Sequence, residues 1–339
     1  MSAIDLLALP FDQYQRYTAV TQVADQIRIH LARPNLQVLD VGGFFRTLSG
    51  EVLTPLTWFL PQDRVVVVDR IAERLPNYVL ADGRSLPVGD RAFDLVASCD
   101  TLEHIPPADR PAFLTELLRV SRHYLVVIAP FDDLATRLAE RMVCEYLAAQ
   151  GLHHPQLEEH REFGLPDAEA LRAYLRERGC ASVDFADGYL HHWLMMMLIK
   201  HTPGQSLDFA LDLDRYYNRH FSPTDRREPA YRRVFVIARS APDPLLPAIA
   251  ARFRPEKAPA PTSALEFMSM LIQVLLWRRS EARAGAISAL ERQLAETQAR
   301  LAVLETENET LRQLVAAYER GRFMRLMRQV SRWRKRMGI

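Results

Sequence analysis

Cysteine and long apolar runs are both scarce in this sequence. The 339 residues include only three cysteines, Cys99, Cys144 and Cys180, which lie far apart without any CxxC spacing. This spacing implies neither a disulfide framework nor a cysteine zinc site, and a reducing cytoplasm fits best. No apolar run reaches the roughly 18 residues that a membrane-spanning helix needs. The first residues also lack the basic and apolar regions of a signal peptide, so we expect a cytoplasmic protein.

The charges are balanced in number but unevenly distributed. With 48% hydrophobic and 25% charged residues, the composition is that of a soluble globular protein, and the length allows about two domains. The overall net charge is +1, yet the last twenty residues carry seven Arg and one Lys with no acid, which is +8. The remainder therefore carries −7. An acidic body with a basic tail indicates an anionic partner for the tail.

Residues 1–240 alternate short apolar runs with helical stretches. Continuous runs of Val, Leu and Ile separated by helical segments are typical of a parallel sheet covered on both faces. The helices include residues 17–31 and a crossover helix at 109–122, with Asp109 as its N-cap and Pro111 in its first turn. This pattern predicts an open, doubly wound α/β sheet. Its seven strands are expected at 36–41, 64–69, 78–81, 93–98, 124–130, 193–200 and 232–240.

Composition divides the chain into a domain and several smaller segments. Residues 131–190 are too long for a simple crossover and contain helical stretches, so we interpret them as a helical cap inserted in the domain. Six prolines between 241 and 262 predict a semi-rigid linker rather than a folded element. The predicted organisation is a domain at 1–240, a linker at 241–262, an apolar helix at 263–280, a coiled coil at 281–319 and a basic amphipathic tail at 320–339.

Residues 287–318 keep a heptad pattern. Apolar residues dominate its two core positions, and the single Asn308 at position a is typical of the polar residue that fixes register in a parallel dimer. We therefore predict a homo-oligomer formed through a parallel coiled coil, and the alternative is a long helix folded back on the domain. Position a holds Ile287, Leu294, Leu301, Asn308 and Val315, and position d holds Leu290, Thr297, Leu304, Leu311 and Tyr318.

Acidic residues and glycines follow the ends of successive predicted strands. After the first strand come Asp40, Gly42 and Gly43, where glycine lets the backbone approach a ligand closely. The second strand ends at Asp69, whose carboxylate can accept both hydroxyls of a ribose. After the third strand, Asp82 is placed to accept from an exocyclic adenine amine and Gly83 leaves room for the ring. The fourth strand leads into SCDTLEHIP, with Cys99 and Asp100.

In this order the residues closely resemble the class I S-adenosylmethionine-dependent methyltransferases. VLDVGG looks like motif I of that family, VVVVD like its second acidic motif, and ADGRSLP, FDLV and DTLEHI like the run common in its small-molecule members. One departure is Phe44, which stands where the family pattern has glycine. An NAD site is disfavoured because the G-x-G-x-x-G fingerprint is absent. The resemblance implies a Rossmann-like seven-stranded sheet that binds S-adenosyl-L-methionine through Asp40, Gly42, Gly43, Asp69, Arg70, Asp82, Gly83, Cys99 and Asp100.

A looser resemblance concerns the second half of the domain. The stretches HPQLEEHREFGLP, YLHHWLMMML and RYYNRHFSPTDRREPAYRRVFV are similar to methyltransferases found beside glycosyltransferases in bacterial surface-polysaccharide clusters. This resemblance implies O-methylation of a sugar or glycan acceptor. The order of methyltransferase, coiled coil and basic helix also resembles polysaccharide chain-terminating enzymes, although no kinase domain is present here.

Histidines near the carboxyl edge of the sheet are the candidates for handling the acceptor hydroxyl. We predict His104, beside Glu103, and His160, beside Glu159, as the main candidates for a catalytic base or acceptor-binding residue, ahead of His191 and His192; the alternative is a structural hydrogen-bond role. Methyl displacement from a sulfonium needs no metal, and no i, i+4 histidine pair indicates one, so no metal is expected. Residues that can hold a phosphorylated or hydroxyl-rich acceptor, or lie on a solvated charged face, are Arg161, Arg226, Arg227 and Tyr231.

The tail combines an apolar stripe with basic residues. Phe323, Leu326, Val330 and Trp333 recur at helical spacing, with arginines on the other face. Such a helix suits an anionic membrane surface, so we expect peripheral attachment to the inner membrane face. Nucleic acid is the competing and less favoured partner. Two further hypotheses stay open: a non-catalytic scaffold that recruits glycosyltransferases through the coiled coil, and a nucleic-acid methyltransferase.

Overall fold

A seven-stranded sheet forms the centre of the first part of the chain in a computed structural model. The structure describes residues 5–47, 50, 52–202, 206–254 and 262–338, and for 262–284 and 319 it describes the backbone alone. The chain divides into two compact units, Met1–Pro259 and Ala260–Ile339.

Six strands of this sheet run in one direction, and one, β9, runs in the opposite direction. Its order is β5-β4-β1-β6-β7-β9-β8, in which β9 runs antiparallel to both β7 and β8. A separate small antiparallel pair is formed by β2 and β3. The strands are β1 Gln37–Val41, β2 Phe45–Arg46, β3 Val52–Leu53, β4 Arg64–Asp69, β5 Tyr78–Leu80, β6 Phe93–Cys99, β7 Ser121–Pro130, β8 Ala181–Tyr189 and β9 Ala230–Ala238. The prediction of a doubly wound α/β sheet is confirmed.

Helices cover both faces of the sheet. On one face α1 and α9 pack against a core that includes Val38 and Leu95, and on the other α3 and α6 pack against Leu39 and Val96. Because neighbouring strand residues enter opposite cores, the central strands are apolar throughout rather than alternating. The helices of this unit are α1 Phe11–Leu31, α2 Leu56–Phe59, α3 Arg110–Val120, α4 Leu134–Ala148, α5 Pro155–Phe163, α6 Ala168–Glu177, α7 Leu190–Lys200, α8 Leu207–His220 and α9 Leu245–Arg252.

The predicted crossover helix is α3, with one difference at its start. Pro111 lies in the first turn as expected. Asp109 precedes the helix, but its side chain makes no capping hydrogen bond and pairs instead with the Arg84 guanidinium. Asp109 is therefore the N-cap residue as predicted, but its carboxylate takes the charged guanidinium as its partner in place of neutral backbone amides.

The strand predicted at 193–200 is wrong, because these residues form most of α7. The segment is apolar on every side, and a short apolar run does not distinguish a buried helix from a buried strand. Its Leu and Met residues favour the helix, and Met195, Met196 and Met197 are all buried. The actual strand is β8, within the last part of the predicted cap at 131–190, whose earlier residues form α4, α5 and α6. This strand has no continuous apolar run to predict it, because its first four residues lie at the sheet edge and are only half-buried.

The linker predicted at 241–262 is also partly wrong, since α9 lies within it and packs on the sheet. Leu245, Leu246 and Ile249 are buried, and the Phe253 ring stacks on Phe185 of β8 at a centroid distance of 4.2 Å. Proline is tolerated at the start of this helix because first-turn amides have no intrahelical partner. The domain therefore continues past residue 240. Three of the six prolines, Pro255, Pro259 and Pro261, lie outside the described residues.

The second unit consists of two helices. The first, α10, runs without interruption over Thr262–Arg320, so no break separates the predicted apolar helix at 263–280 from the predicted coiled coil at 281–319. The side chains of 263–280 lie outside the described residues. After Gly321, α11 Arg322–Met337 covers most of the predicted tail at 320–339. Within the described residues, no helix combines the length and hydropathy needed to cross a membrane.

Heptad core positions of α10 are exposed in the single chain. Between 54% and 64% of the residue surface is accessible at each of the apolar positions Ile287, Leu290, Leu294, Leu301, Leu304, Leu311, Val315 and Tyr318. An apolar stripe of this length along one helix is typical of a coiled-coil seam. Its pairing with another copy stays a prediction.

Candidate active site

Three loops meet where β4, β1 and β6 end side by side. The amide of Gly42, after β1, donates to the carbonyl of Val68 in β4 at 2.8 Å. The Thr101 hydroxyl, after β6, lies 3.3 Å from the Val41 carbonyl. Because parallel strands share one carboxyl edge, residues distant in sequence converge here, as in the ligand crevices of open α/β sheets.

Two adjacent glycines after β1 occupy positions that exclude side chains. Gly42 has a φ of +85°, and a Cβ there would lie 2.2 Å from the Thr101 hydroxyl oxygen. A Cβ at Gly43 would lie 2.0 Å from Oδ2 of Asp40. The backbone therefore passes directly over the Asp40 carboxyl, which explains why glycines stand at both predicted positions.

Asp40 is fully buried beneath this turn. Neither carboxyl oxygen makes a hydrogen bond of ordinary geometry within the part of the chain that the structure describes, although the nearby Tyr17 hydroxyl favours the anion. Burial raises the pKa of Asp40 to about 7, although the Arg16 charge acts in the opposite direction. An unpartnered buried acceptor costs about 1–3 kcal/mol. Two free oxygens below an open loop are suited to a ligand that brings its own donors.

Asp69 and Phe44 lie at the next strand end. Burial raises the pKa of Asp69, while the amides of Ile71 and Phe44 donate to its carboxylate and lower it. The Phe44 ring, in the position where the family pattern has glycine, contacts the ring of Tyr78 edge-on at 6.3 Å. Arg70 is exposed beside them. The Phe44 backbone thus orients Asp69 while its ring packs towards β5.

Asp82 and Gly83 follow β5. The Arg84 guanidinium pairs with Asp82 at 2.6 Å and, with the Arg84 amide, lowers the pKa of this carboxyl. Asp82 is exposed and ionised, with further lone pairs that can accept hydrogen bonds. A Cβ at Gly83 would lie 2.5 Å from the Phe113 ring, so a side chain has no room there.

Asp100 is the centre of an ion-pair network. It lies between the guanidiniums of Arg16 in α1 and Arg232 in β9, with Arg232 Nε 2.7 Å from Oδ1. Burial alone would raise the pKa of Asp100, but these two charges hold it well below its usual range. Its φ of +47° is unusual for a non-glycine residue, and such strain concentrates at functional sites. Cys99 before it is buried, which raises the pKa of the thiol.

The two predicted catalytic histidines lie together. The rings of His104 and His160 are 4.8 Å apart between centroids, although 55 residues separate them in sequence. Nδ1 of His104 is 2.7 Å from Glu159, and Nδ1 of His160 is 2.8 Å from Glu140. The same Glu140 oxygen accepts from the Tyr231 hydroxyl at 2.8 Å. Each imidazole is thus oriented by its own carboxylate.

Glu103 lies with the two histidines, although the sequence indicated it only as the residue beside His104. It is buried, and Oε2 has no hydrogen-bond partner among the described residues. Burial and the nearby Asp100 charge raise its pKa well above the ordinary value. Burial and His160 lower the pKa of His104. One ligand-capable atom each from Glu103, His104 and His160 lie within 4.8 Å of one another.

The other candidate side chains have structural partners. His192 is buried and bonded to Asp225 at 2.6 Å, and His191 bonds to the Tyr189 hydroxyl at 2.8 Å. Both begin α7 rather than preceding a strand. Arg226 lies 3.5 Å from Asp187, and the Arg227 guanidinium stacks over Tyr189. The two histidines thus have side-chain partners, whereas Nε of Arg226 and Nε of Arg227 lack a hydrogen-bond partner among the described residues.

A cavity of about 560 Å³ opens beside His160, between α4 and α5. Its wall contains three acidic and three basic side chains, so positive and negative residues are equal in number. Arg161, one of the predicted acceptor-binding residues, is among them. The charged residues are Asp132, Arg137, Glu140, Arg141, Glu145 and Arg161, and His160, Gly164 and three leucines complete the wall.

Comparison with known proteins agrees with this geometry. Residues 60–125 match the family described as "Methyltransferase domain". No curated protein sequence matches the chain. Residues 60–125 therefore carry a methyltransferase-domain sequence, within the sheet that bears the candidate site.

Several solved methyltransferase structures resemble the chain at low sequence identity. The plantazolicin methyltransferase BpumL is 10% identical over 68% of this chain and 86% of that one, with a TM-score of 0.43. The 1,6-didemethyltoxoflavin-N1-methyltransferase of Burkholderia thailandensis is 15% identical over 66% of this chain and 78% of that one, with a TM-score of 0.34. The magnesium protoporphyrin IX methyltransferase of Synechocystis PCC 6803 is 14% identical over 68% of this chain and 86% of that one, with a TM-score of 0.36.

The residues at the strand ends fit the cofactor. The unpartnered Asp40 carboxyl, the bare turn at Gly42 and Gly43, and the neighbouring Asp69 carboxylate are the groups that would hold its polar parts. Gly83 keeps the neighbouring wall clear of side chains. Asp100 differs from the others, because two arginines already occupy its oxygens, so we assign it to positioning the loop. The individual cofactor contacts stay predictions.

Proposed function

We propose that this methyltransferase acts on a hydroxyl group of a sugar or glycan, in surface-polysaccharide biosynthesis. The observation that carries the proposal is the charge-balanced cavity beside His160. Side chains of both signs offer donors and acceptors to a hydroxyl-rich ligand, whereas a nucleic-acid backbone favours uniformly basic contacts. The looser resemblance of the second half of the domain to polysaccharide-cluster methyltransferases supports the same acceptor class.

The imidazole pair handles the acceptor hydroxyl in this proposal. Bound S-adenosylmethionine supplies an electrophilic methyl group. The acceptor oxygen must be held in line and must lose its proton, and His104 and His160 are the groups beside the cavity suited to both tasks. Glu140 and Tyr231 hold the ring of His160 in place, which keeps its Nε2 directed away from Glu140.

The test is a methyl-transfer assay with labelled S-adenosylmethionine and two acceptor pools, bacterial polysaccharide fragments and total RNA. We expect label in the carbohydrate pool and a loss of at least 100-fold in His160→Gln, with His153→Gln as the control because His153 is exposed. Label in RNA alone would instead support a nucleic-acid methyltransferase.

Calorimetry with S-adenosylhomocysteine separates the enzyme from the scaffold hypothesis. Micromolar binding that Asp69→Ala weakens at least tenfold supports the enzyme, because Asp69 offers the acceptor oxygens at the second strand end. Absence of binding at millimolar concentration would favour a scaffold.

In this proposal the second unit holds the enzyme in an oligomer and attaches it to a membrane surface. The exposed heptad stripe of α10 supports a parallel coiled-coil homo-oligomer, and the basic α11 supports attachment to the anionic inner face of a membrane. Joining several α11 helices in one oligomer would raise the effective affinity for the surface.

A further inference from the structure

Three side chains at the carboxyl edge of the sheet form a group with the composition of a metal site. Glu103 and His104 lie in the 3-10 turn Leu102–His104, directly after the loop that follows β6, and His160 lies in α5. One oxygen or nitrogen atom from each falls within 4.8 Å of the others. A tetrahedral zinc ion with ligands at about 2.1 Å holds them roughly 3.4 Å apart, so small side-chain rotations would bring the three atoms to ligand distances.

Both imidazoles are oriented for ligation by a second carboxylate. The Nδ1 atoms of His104 and His160 face Glu159 and Glu140, which as carboxylates accept hydrogen bonds. With Nδ1–H donating, the lone pair remains on Nε2 of each ring. Carboxylate–histidine–metal arrangements use this geometry to fix the tautomer and direct the free nitrogen to the ion.

Two atoms of the group are buried and lack a partner within the described part of the chain. Nε2 of His160 and Oε2 of Glu103 accept no hydrogen bond there, and the residues are 5% and 1% exposed. Both can donate an electron pair, and one ligand-capable atom of each residue lies within 4.8 Å of one from the other. A cation is the kind of ligand that satisfies both at once.

We propose that Glu103, His104 and His160 bind one divalent transition-metal cation. Two imidazole nitrogens with one carboxylate suit ions of the zinc type rather than Mg²⁺, which prefers oxygen ligands. Three protein ligands leave a coordination position open. His160 also lines the acceptor cavity, which lies next to the group.

The role of the cation rests on the proposed function, whereas its binding does not. An acceptor hydroxyl coordinated at the open position would have a lowered pKa and a fixed orientation. The two histidines would then act on the hydroxyl through the shared ion instead of accepting its proton, and that proton would pass to water in the cavity as the oxygen takes the methyl group. Both histidines are candidates from the sequence, but their joint ligation of a metal is not visible there because 55 residues lie between them.

The test uses the full chain after treatment with a chelator and its removal. Titration with Co²⁺ reports ligation through visible d–d absorption, and calorimetry with Zn²⁺ gives stoichiometry and affinity. We expect one ion per chain with micromolar or tighter affinity, and binding of Mg²⁺ at least 100-fold weaker. Tighter binding of Mg²⁺ than Zn²⁺, or failure to reach one ion per chain, would overturn the proposal.

Substitutions distinguish the metal ligands from other nearby residues by their effect on Zn²⁺ affinity. Glu103→Gln and His160→Gln should each weaken Zn²⁺ binding at least tenfold, and Glu140→Gln, which orients His160, should weaken it by about 10–100-fold. The control is His153→Gln, an exposed histidine near the same helix, which should leave affinity unchanged. If melting shows that a buried variant does not fold, His104→Gln supplies the same test at a half-buried position. Unchanged affinity in the folded ligand variants contradicts the site.

Binding of S-adenosylhomocysteine and methyl transfer are measured in the same samples. Cofactor binding and carbohydrate methylation without cation binding overturn this inference and leave the proposed function intact. Stoichiometric cation binding without carbohydrate methylation supports the metal site and overturns the proposed function.

Discussion

Asp40 illustrates how a single buried carboxyl connects stability with ligand binding. In the free domain it makes no protein hydrogen bond of ordinary geometry within the described residues, and the glycine turn passes directly above it. Folding therefore buries an acid that is most stable when neutral, because the surroundings stabilise the anion less than water does. Such an arrangement favours a bound partner that donates hydrogen bonds.

Replacing this carboxyl by an amide should alter the pH dependence of stability. The pKa of Asp40 is about 7 in the folded domain against an ordinary value of 3.8, so ionisation above pH 4 progressively destabilises the folded form. The stability of Asp40→Asn relative to the unsubstituted protein should rise between pH 4 and pH 7, by on the order of 4 kcal/mol. Denaturant unfolding of the ligand-free protein at several pH values measures this difference. A difference that does not change with pH would contradict the assignment.

Gly83 gives a second prediction at this scale. In Gly83→Ala the added methyl group would meet the Phe113 ring at 2.5 Å, so the ring or the loop must move. We expect a loss of about 1–3 kcal/mol in stability and weaker S-adenosylhomocysteine binding by calorimetry. Gly89→Ala is the matched control, because a Cβ at Gly89 meets no atom within 4 Å. Equal losses of stability and of S-adenosylhomocysteine affinity in both variants would contradict the close approach of Gly83 to the Phe113 ring.

The strand-end residues were predictable because parallel strands end at one edge. Asp40, Asp69 and Asp100 each follow an apolar run, so sequence alone predicted their proximity. Glu140 and the buried role of Glu103 were not predictable in this way. Glu140 lies inside an amphipathic helix, where an acid is ordinarily a solvated residue, and only the packing of α4 on α5 and β9 shows its partners.

Elements that depend on tertiary packing were the least predictable. The apolar α7 has no polar face to mark a helical period, and β8 at the sheet edge lacks a continuous apolar run. For α9 the prolines suggested a linker, although their positions at the helix start allow a folded turn. In each case burial against the sheet, rather than local propensity, decides the conformation.

We expect α9 to be required for a stable domain. Ile249 is fully buried in the core on the α1 face of the sheet, and Ile249→Ala should lower the free energy of unfolding by about 2–5 kcal/mol. The exposed Arg252 on the same helix provides the control substitution, Arg252→Ala, with an expected change below about 0.5 kcal/mol. Thermal unfolding followed by circular dichroism measures both. A loss in Ile249→Ala no larger than in the control would show that α9 is dispensable.

On the scale of the whole molecule, charge and apolar surface are divided between the two units. The second unit carries an exposed heptad stripe on α10 and a basic helix, α11. Sequence predicted both features because heptads and charge runs are local patterns. The number of chains in the assembly is not a local property, since it depends on how core side chains pack between helices.

Self-association should depend on the heptad core. Leu301→Glu combined with Leu304→Glu places two charges in the predicted seam and should shift the full chain to monomer in sedimentation analysis. The control, Glu305→Gln with Glu309→Gln, changes charge at exposed positions outside the a and d core and should leave the mass unchanged. An oligomer that persists in the leucine variant would contradict the coiled coil and favour another interface.

Surface attachment should require both the basic and the apolar face of α11. The full chain should float with anionic vesicles at low salt and detach as salt rises, because surface charges are screened. Trp333→Ser with Phe323→Ser should reduce flotation at least fivefold while leaving the +8 charge of the tail intact. If flotation is unaffected and RNA retards the protein in a gel, nucleic acid is the partner.

The ion pairs around Asp100 join the beginning of the domain to its end. Arg16 belongs to the first long helix and Arg232 to the last strand of the sheet, and both guanidiniums reach the same carboxylate. During synthesis on the ribosome, Arg232 leaves the exit tunnel after nearly the entire domain has emerged. Until then Asp100 has only one of its two arginines, so the loop that bears Glu103 and His104 reaches its final form late in biosynthesis. A nascent chain released before that point would lack an ordered centre even if most of its sheet had formed.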